Sequence, residues 1–150
     1  MPVTSRVEGQ LVSAAFKEGD FVRKGDVLFQ LDPRPFQAAL NQTIAMQNKD
    51  QAQATAAEHD AQRYAALVAQ GAVSKSQADQ FEANAKAMVA TVAADKANVD
   101  AARLNLVYTQ IRSPIDGKTG AITIQPGNIV PANEANPLVT ITQVQPIKVS

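Results

Sequence analysis

The cysteine and histidine counts exclude several kinds of bond-making chemistry from this sequence. It contains no cysteine, which excludes thiolate nucleophiles, disulfides and cysteine-type zinc or iron–sulfur sites. His59 is the single histidine, so a multi-histidine metal site is excluded, and we expect its side chain to be exposed. We therefore expect no metal site of these kinds.

Four side chains close to Gly71 could instead bind a partner protein. Arg63 carries a guanidinium with five donors, which suits carbonyl or carboxylate oxygens. Leu67 and Val73 would add an apolar contact, and Ser74 a hydroxyl. Each also has a structural interpretation: a solvated charge for Arg63, closure of a helix pair for the two apolar residues, and a helix cap for Ser74.

The segment between Pro35 and Pro114, which carries these residues, is predicted to be helical. It contains no other proline and a single glycine, Gly71, and it is rich in alanine and glutamine. These features favour helix on both sides of one break. We predict helices over about 33–70 and 75–106, each roughly 50 Å long.

Capping signals mark the same boundaries. Asp32 is a good N-cap for the first helix. Ser74 with Gln77 three residues later forms a capping box that opens the second helix. The helical hairpin therefore spans 33–106, with its tip at 71–74.

Both helices carry apolar residues at heptad spacing, which predicts an antiparallel coiled-coil hairpin. A turn near residue 72 pairs positions whose numbers sum to about 145. In this register Tyr64 meets Phe81, and apolar residues face each other along most of the seam.

One layer of this seam is polar, because Asp50 faces Asp95 with Lys49 and Lys96 beside them. We expect two crossed Lys–Asp pairs there. The layer is either a solvated polar layer that fixes the register or a proton- or ion-sensing site, and the sequence leaves both open.

The segments on either side of the helices are two copies of one motif. Residues 5–9 align with residues 113–117, and a second block keeps the same offset of 108. Such a repeat predicts two half-units related by a pseudo-twofold axis, neither of which could bury a core alone. The predicted fold is therefore α+β, a small β-sandwich from residues 1–32 and 107–145 with the hairpin inserted between its halves.

Glycines are expected to form turns between the strands, because glycine adopts tight-turn conformations at no steric cost. Apolar residues alternate between these glycines, as in half-buried strands. The predicted turn glycines are Gly9, Gly19, Gly71, Gly117 and Gly127.

The order half-domain, hairpin, half-domain resembles bacterial periplasmic adaptor proteins, also called membrane fusion proteins (HlyD family). Residues 7–36 are similar to the first half of their biotinyl/lipoyl-like domain, and residues 111–117 to part of the second. The spacing of Arg63, Leu67 and Ser74 resembles the tip motif of adaptors in tripartite efflux pumps of the resistance-nodulation-division (RND) class.

This resemblance implies a periplasmic adaptor, anchored to the inner membrane in the full-length protein. It implies that the protein is not an enzyme and has no catalytic residues, no metal site and no cofactor. It would link an inner-membrane efflux transporter to a TolC-type outer-membrane channel, with the hairpin tip docking on the channel. It implies self-association into a ring, of six copies in the full assembly, and residues 146–150 would begin a further β-barrel domain. An adaptor for an ABC exporter or type I secretion system is the alternative.

The charge balance argues against a nucleic-acid partner. The chain has 14 basic and 14 acidic residues, so no net positive field attracts nucleic acid. A lipoyl or biotinyl carrier domain is the less favoured alternative function. Carriers attach the cofactor to a lysine at the turn between their halves, and residues 31–36, which occupy that place, contain no lysine.

The chain should therefore stay unmodified when it is produced together with active lipoyl and biotin ligases. Intact-mass spectrometry would measure this directly. An added mass equal to either cofactor would contradict the adaptor interpretation.

Overall fold

The computed structural model describes residues 1–133 and 137–143, which form an α+β fold with eight strands and two long helices. The predicted barrel segment 146–150 lies outside these residues. The elements are β1 Pro2–Val3, β2 Gly9–Ala14, β3 Phe21–Val22, β4 Val27–Leu31, α1 Arg34–Ala69, α2 Lys75–Val107, β5 Gln110–Arg112, β6 Gly117–Thr119, β7 Ile129–Val130 and β8 Val139–Thr142.

All the strands belong to one compact unit, formed by Met1–Phe36 together with the chain from Leu104 onwards. They pair as two antiparallel sheets with the orders β1-β8-β6-β3 and β5-β4-β2-β7. Each sheet takes two strands from before the helices and two from after them. The predicted assembly of two half-motifs into one β-sandwich is confirmed.

The internal repeat relates one sheet to the other. Replacing β1, β2, β3 and β4 by β5, β6, β7 and β8, and the reverse, converts the first strand order into the second. Backbone hydrogen bonds follow the same symmetry: Gly19 N–H donates to the Thr119 carbonyl at 3.1 Å, and Gly127 N–H donates to the Leu11 carbonyl at 2.8 Å. The two donor residues are 108 positions apart in sequence, and so are the two acceptor residues. The predicted pseudo-twofold relation therefore extends to individual hydrogen bonds.

A hydrophobic cluster joins the two sheets. Leu28, Phe29 and Leu31 of β4 and Ile141 of β8 have no exposed surface. Strand β4 is central in its sheet, between β2 and β5, and its adjacent residues Leu28 and Phe29 are both buried, so side chains on both of its faces are covered. Burying each such side chain stabilises the unit by about 1.5–3 kcal/mol.

The glycines play two different structural roles. Gly19 and Gly127 have φ values of 85° and 95° and lie in turns, as predicted. Gly9 and Gly117 are instead the first residues of β2 and β6, so the prediction that they form turns was wrong. At Gly117 the requirement is space, since an added Cβ would lie 2.8 Å from Ile141 Cγ2 and closer still to a carbonyl oxygen of β8.

The antiparallel helix pair Gln37–Arg103 forms the second compact unit. Its buried residues recur at the predicted heptad spacing along the two helices: Leu40, Ala54, Ala57, Ala85, Asp95 and Val99. The rings of Tyr64 and Phe81 stack with their centroids 3.9 Å apart and their planes at 15°. The residue numbers 64 and 81 sum to 145, so the predicted register is confirmed.

The predicted Lys–Asp pairs of the polar layer are absent. The four ion pairs within residues 1–133 and 137–143 include neither Lys49 nor Lys96, and both lysines are exposed. Each lysine is next to a seam residue in sequence, and one residue along a helix turns the side chain by about 100° away from the partner helix. Solvation of a long cationic side chain then outweighs a surface pair, which contributes about 0–1 kcal/mol.

Two further sequence features have clear outcomes. His59 is exposed, as expected. Asp32 caps the first helix by accepting a hydrogen bond from the Arg34 N–H at 3.0 Å. The Arg34 side chain also binds this carboxylate, at 2.8 Å, and this hydrogen bond lowers the pKa of Asp32.

Over the described part of the chain, no helix combines the length and hydrophobicity required to span a bilayer.

Replacing Gly117 by alanine should destabilise the β unit by about 1–3 kcal/mol, because the added methyl group must displace β8. Gly9→Ala is the matched control at the symmetry-related position. There the added Cβ meets its nearest atom at 3.4 Å, so the change should stay below about 1 kcal/mol. Differential scanning calorimetry of both variants measures the difference, and equal stabilities would refute the close approach at Gly117.

Candidate partner-binding site at the hairpin tip

The first helix ends in a Schellman motif centred on Gly71. The Ala72 N–H donates to the Leu67 carbonyl at 2.9 Å, and the Gly71 N–H donates to the Val68 carbonyl at 3.0 Å. Gly71 has a φ of 73°, in the left-handed region, while an added Cβ would meet open space. Glycine is therefore required here by backbone conformation and not by crowding.

The second helix begins with the predicted capping box. The Gln77 N–H donates to Ser74 Oγ at 3.2 Å, and the Ser74 N–H donates to Gln77 Oε1 at 3.3 Å. Helix α2 then runs from Lys75. The Ser74 hydroxyl is exposed and already serves the helix as an acceptor.

Arg63 is the one charged residue among the four predicted contact residues. Its side chain is 65% exposed, and its Nη1 lies 3.5 Å from Asp60 Oδ1 in a solvent-exposed pair. Such a pair contributes about 0–1 kcal/mol, so the guanidinium can exchange this carboxylate for another acceptor. Leu67, four residues further, shares the same side of α1 and is half-buried, as is Val73.

An open groove between the helices lies on a different face near the tip. It has a volume of about 410 Å³ and a floor of small or apolar side chains with a charged rim. Its lining residues are Ala61, Gln62, Ala65, Val68, Lys75, Ala78, Asp79 and Glu82. None of the four predicted contact residues lines it. Arg63 faces away from it, since it lies about 200° around α1 from Ala61.

A second groove of about 320 Å³ continues the first towards the middle of the hairpin. The two share Ala61, Gln62 and Glu82, and the second reaches Val89, whose side chain is 45% exposed. The heptad pattern did not reveal this surface, because alanine counts as an apolar seam residue in such a pattern. Alanine is apolar but too short to fill the space between two helices, and this shortness was the available signal.

The family of the chain can be read from its whole length. The family model of the RND membrane fusion protein, barrel-sandwich hybrid domain, matches residues 1–142. The chain belongs to this family.

Named relatives of this membrane fusion domain agree with the match. The multidrug resistance protein MdtA of Photorhabdus laumondii is 39% identical over 147 residues, which cover 98% of this chain and 37% of the relative. MdtA of Pantoea ananatis is 40% identical over 147 residues, covering 98% and 36%. The chain thus spans little more than a third of the length of these curated relatives.

A solved structure supports the same fold for the membrane fusion domain. The crystal structure of a MacA–MexA chimera, which contains the α-hairpin domain of Pseudomonas aeruginosa MexA, is 35% identical. It aligns with a TM-score of 0.58 and covers 93% of this chain and 46% of the chimera. The resemblance to membrane fusion proteins drawn from the sequence is confirmed.

Ser74→Ala should weaken the hairpin by about 1 kcal/mol, because the Gln77 N–H loses its acceptor. Ser74→Asp is the control, since its carboxylate can accept the same bond and suits a helix N-terminus. Thermal melts followed by the helical circular dichroism signal measure both variants. If Ser74→Ala melted like the unchanged chain, the capping box would not contribute to the tip.

Proposed function

We propose that this domain is the sandwich-and-hairpin portion of a periplasmic adaptor for RND-type multidrug efflux. The full-length adaptor would be anchored to the inner membrane and would link an inner-membrane efflux transporter to a TolC-type outer-membrane channel. The family match over residues 1–142 carries this proposal. The multidrug-resistance names of the relatives that cover 98% of the chain support the substrate class.

The role we propose is architectural, without bond chemistry. Helices of 36 and 33 residues give the hairpin a length of about 50 Å. A rigid antiparallel pair of that length can carry a contact site far from the end at which the chain enters and leaves it. Residues 1–32 and 107–145 would act as the lipoyl-like base of such an adaptor.

The hairpin tip is the proposed docking element for the channel. Arg63 would donate charge-assisted hydrogen bonds to carboxylate or carbonyl oxygens of the channel. Leu67 and Val73 would add the apolar contact, and Ser74 a hydroxyl. The exposure of Arg63 and its weak pairing with Asp60 support this assignment, because little must be broken before it binds.

The side of the hairpin is the proposed contact between copies of the adaptor. A ring of six adaptors would bundle their hairpins side by side. The groove over Ala61, Ala65 and Val68 supports this arrangement, because short side chains allow a neighbouring helix to approach closely. Its charged rim would keep the free chain from aggregating.

Arg63→Asp in the full-length adaptor should greatly reduce the drug resistance of cells whose efflux depends on this adaptor. The substitution reverses the charge offered to the channel, while folding should change by no more than roughly 0.5 kcal/mol. Drug susceptibility is measured together with the expression level and helical content of the variant.

Arg103→Asp is the matched control. Arg103 is 59% exposed and lies 3.7 Å from Asp100 three residues before it, as Arg63 lies 3.5 Å from Asp60. Both substitutions therefore create the same local repulsion between neighbouring carboxylates. Lost resistance for Arg63→Asp with full resistance for Arg103→Asp is the expected result. Full resistance for both variants would overturn the docking role of Arg63.

A further inference from the structure

A pair of aspartates lies in the middle of the helix seam, far from the tip. Asp95 is only 7% exposed, although it carries a carboxyl group. The register fixed by the Tyr64–Phe81 stack places it opposite Asp50 on the other helix, since 50 and 95 also sum to 145. Its second oxygen, Oδ2, is buried without a hydrogen-bond partner among the described residues. A buried carboxylate with an unsatisfied oxygen is unfavourable, because burial removes the water that stabilises its charge.

The surroundings offer no cation that would neutralise the pair. The nearest charged side chains in sequence are Lys49 on α1 and Lys96 on α2, and within the described residues neither lies at ion-pair distance from an acid. Asp100, further along α2, pairs with Arg103 at 3.7 Å. Ala54 and Val99 are buried in the seam layers on either side of the pair, and the uncharged, half-buried Gln47 lies one turn before Asp50.

Two negative charges cannot share this position cheaply. Like charges a few ångströms apart repel strongly where water is scarce. One proton removes the repulsion and creates an O–H group that donates to the remaining carboxylate. This hydrogen bond, burial and the charge of Asp50 all raise the pKa of Asp95.

We propose that Asp50 and Asp95 bind one shared proton, which makes the hairpin a pH-sensitive element. With the proton bound, a carboxyl–carboxylate hydrogen bond closes the seam between α1 and α2. When the proton leaves, two carboxylates face each other and the middle of the hairpin loosens. The bound species is a proton and not a metal ion, because two carboxyl groups fall short of the six to eight oxygens that Ca²⁺ takes.

The direction of the pH dependence follows from the shifted titration. A group whose pKa is higher in the folded state stabilises that state at low pH, and the contribution is lost as the pH rises through the folded-state pKa. The unfolded reference for aspartate lies near about 3.9. The protonated pair therefore stabilises the hairpin fully below about pH 3.9, and this stabilisation is lost as the pH rises from there through the raised pKa of Asp95.

The test compares thermal melts of the whole chain with those of Asp95→Asn, at about pH 4 and about pH 8. Asparagine has the same shape, donates a hydrogen bond to Asp50 and never ionises. At the higher pH we expect Asp95→Asn to melt a few degrees above the unchanged chain, and at the lower pH the gap should narrow. Asp50→Asn should also raise the melting temperature at the higher pH, because it removes the negative charge that faces Asp95.

Asp100→Asn is the matched control, since it removes an exposed carboxylate from the same helix. Its melting temperature should follow the unchanged chain at every pH apart from a constant offset. An unchanged pH dependence in Asp95→Asn would overturn the proposal. Carbon-13 NMR titration of the Asp95 carboxyl in the unchanged chain gives a second, direct readout. A midpoint at the ordinary aspartate value would overturn the proposal regardless of how the variants fold.

Discussion

The pairing of strands from opposite ends of the chain is the constraint on which the β unit depends. Strand β4 lies between β2, from its own half, and β5, from beyond the helices. Strand β8 likewise lies between β1 and β6. Neither half could cover its apolar strands alone, and their union gives both sheets a shared core. The helical hairpin is thus an insertion into a β domain, and the sheets of that domain can form only when the strands that follow α2 pair with those that precede α1.

Features that follow from a local capping signal or from a regular repeat were predictable from the sequence. The caps at Asp32 and Ser74 and the left-handed Gly71 each satisfy backbone groups within a few residues. The stack of Tyr64 on Phe81 followed from one turn position and a strict heptad spacing. The strand orders also follow the internal repeat, because two similar sequences adopt two similar half-units.

Features that depend on space and solvation were not predictable in the same way. The turn prediction failed at Gly117 because the approach of β8, a long-range contact, decides what that residue must be. The lysines next to the polar layer remained in water, so Asp95 was left buried with only another acid beside it. The groove near the tip exists because alanine fills less volume than a heptad pattern assumes. The partner contacts assigned to Arg63 and its neighbours stay predictions, since no partner chain defines them.

The antiparallel return of the hairpin also bears on how the molecule folds. Joining β4 to β5 across a flexible loop as long as Gln37–Arg103 would carry a large loop-closure entropy. Helices form within about a microsecond, and an antiparallel pair brings its own two ends together. We therefore expect the hairpin to form first and to shorten the search that unites the sheets. A substitution that weakens the seam between α1 and α2 would then slow the assembly of the two β-sheets, although no strand contains a seam residue. During this delay the newly synthesised chain would expose unpaired strand edges for longer.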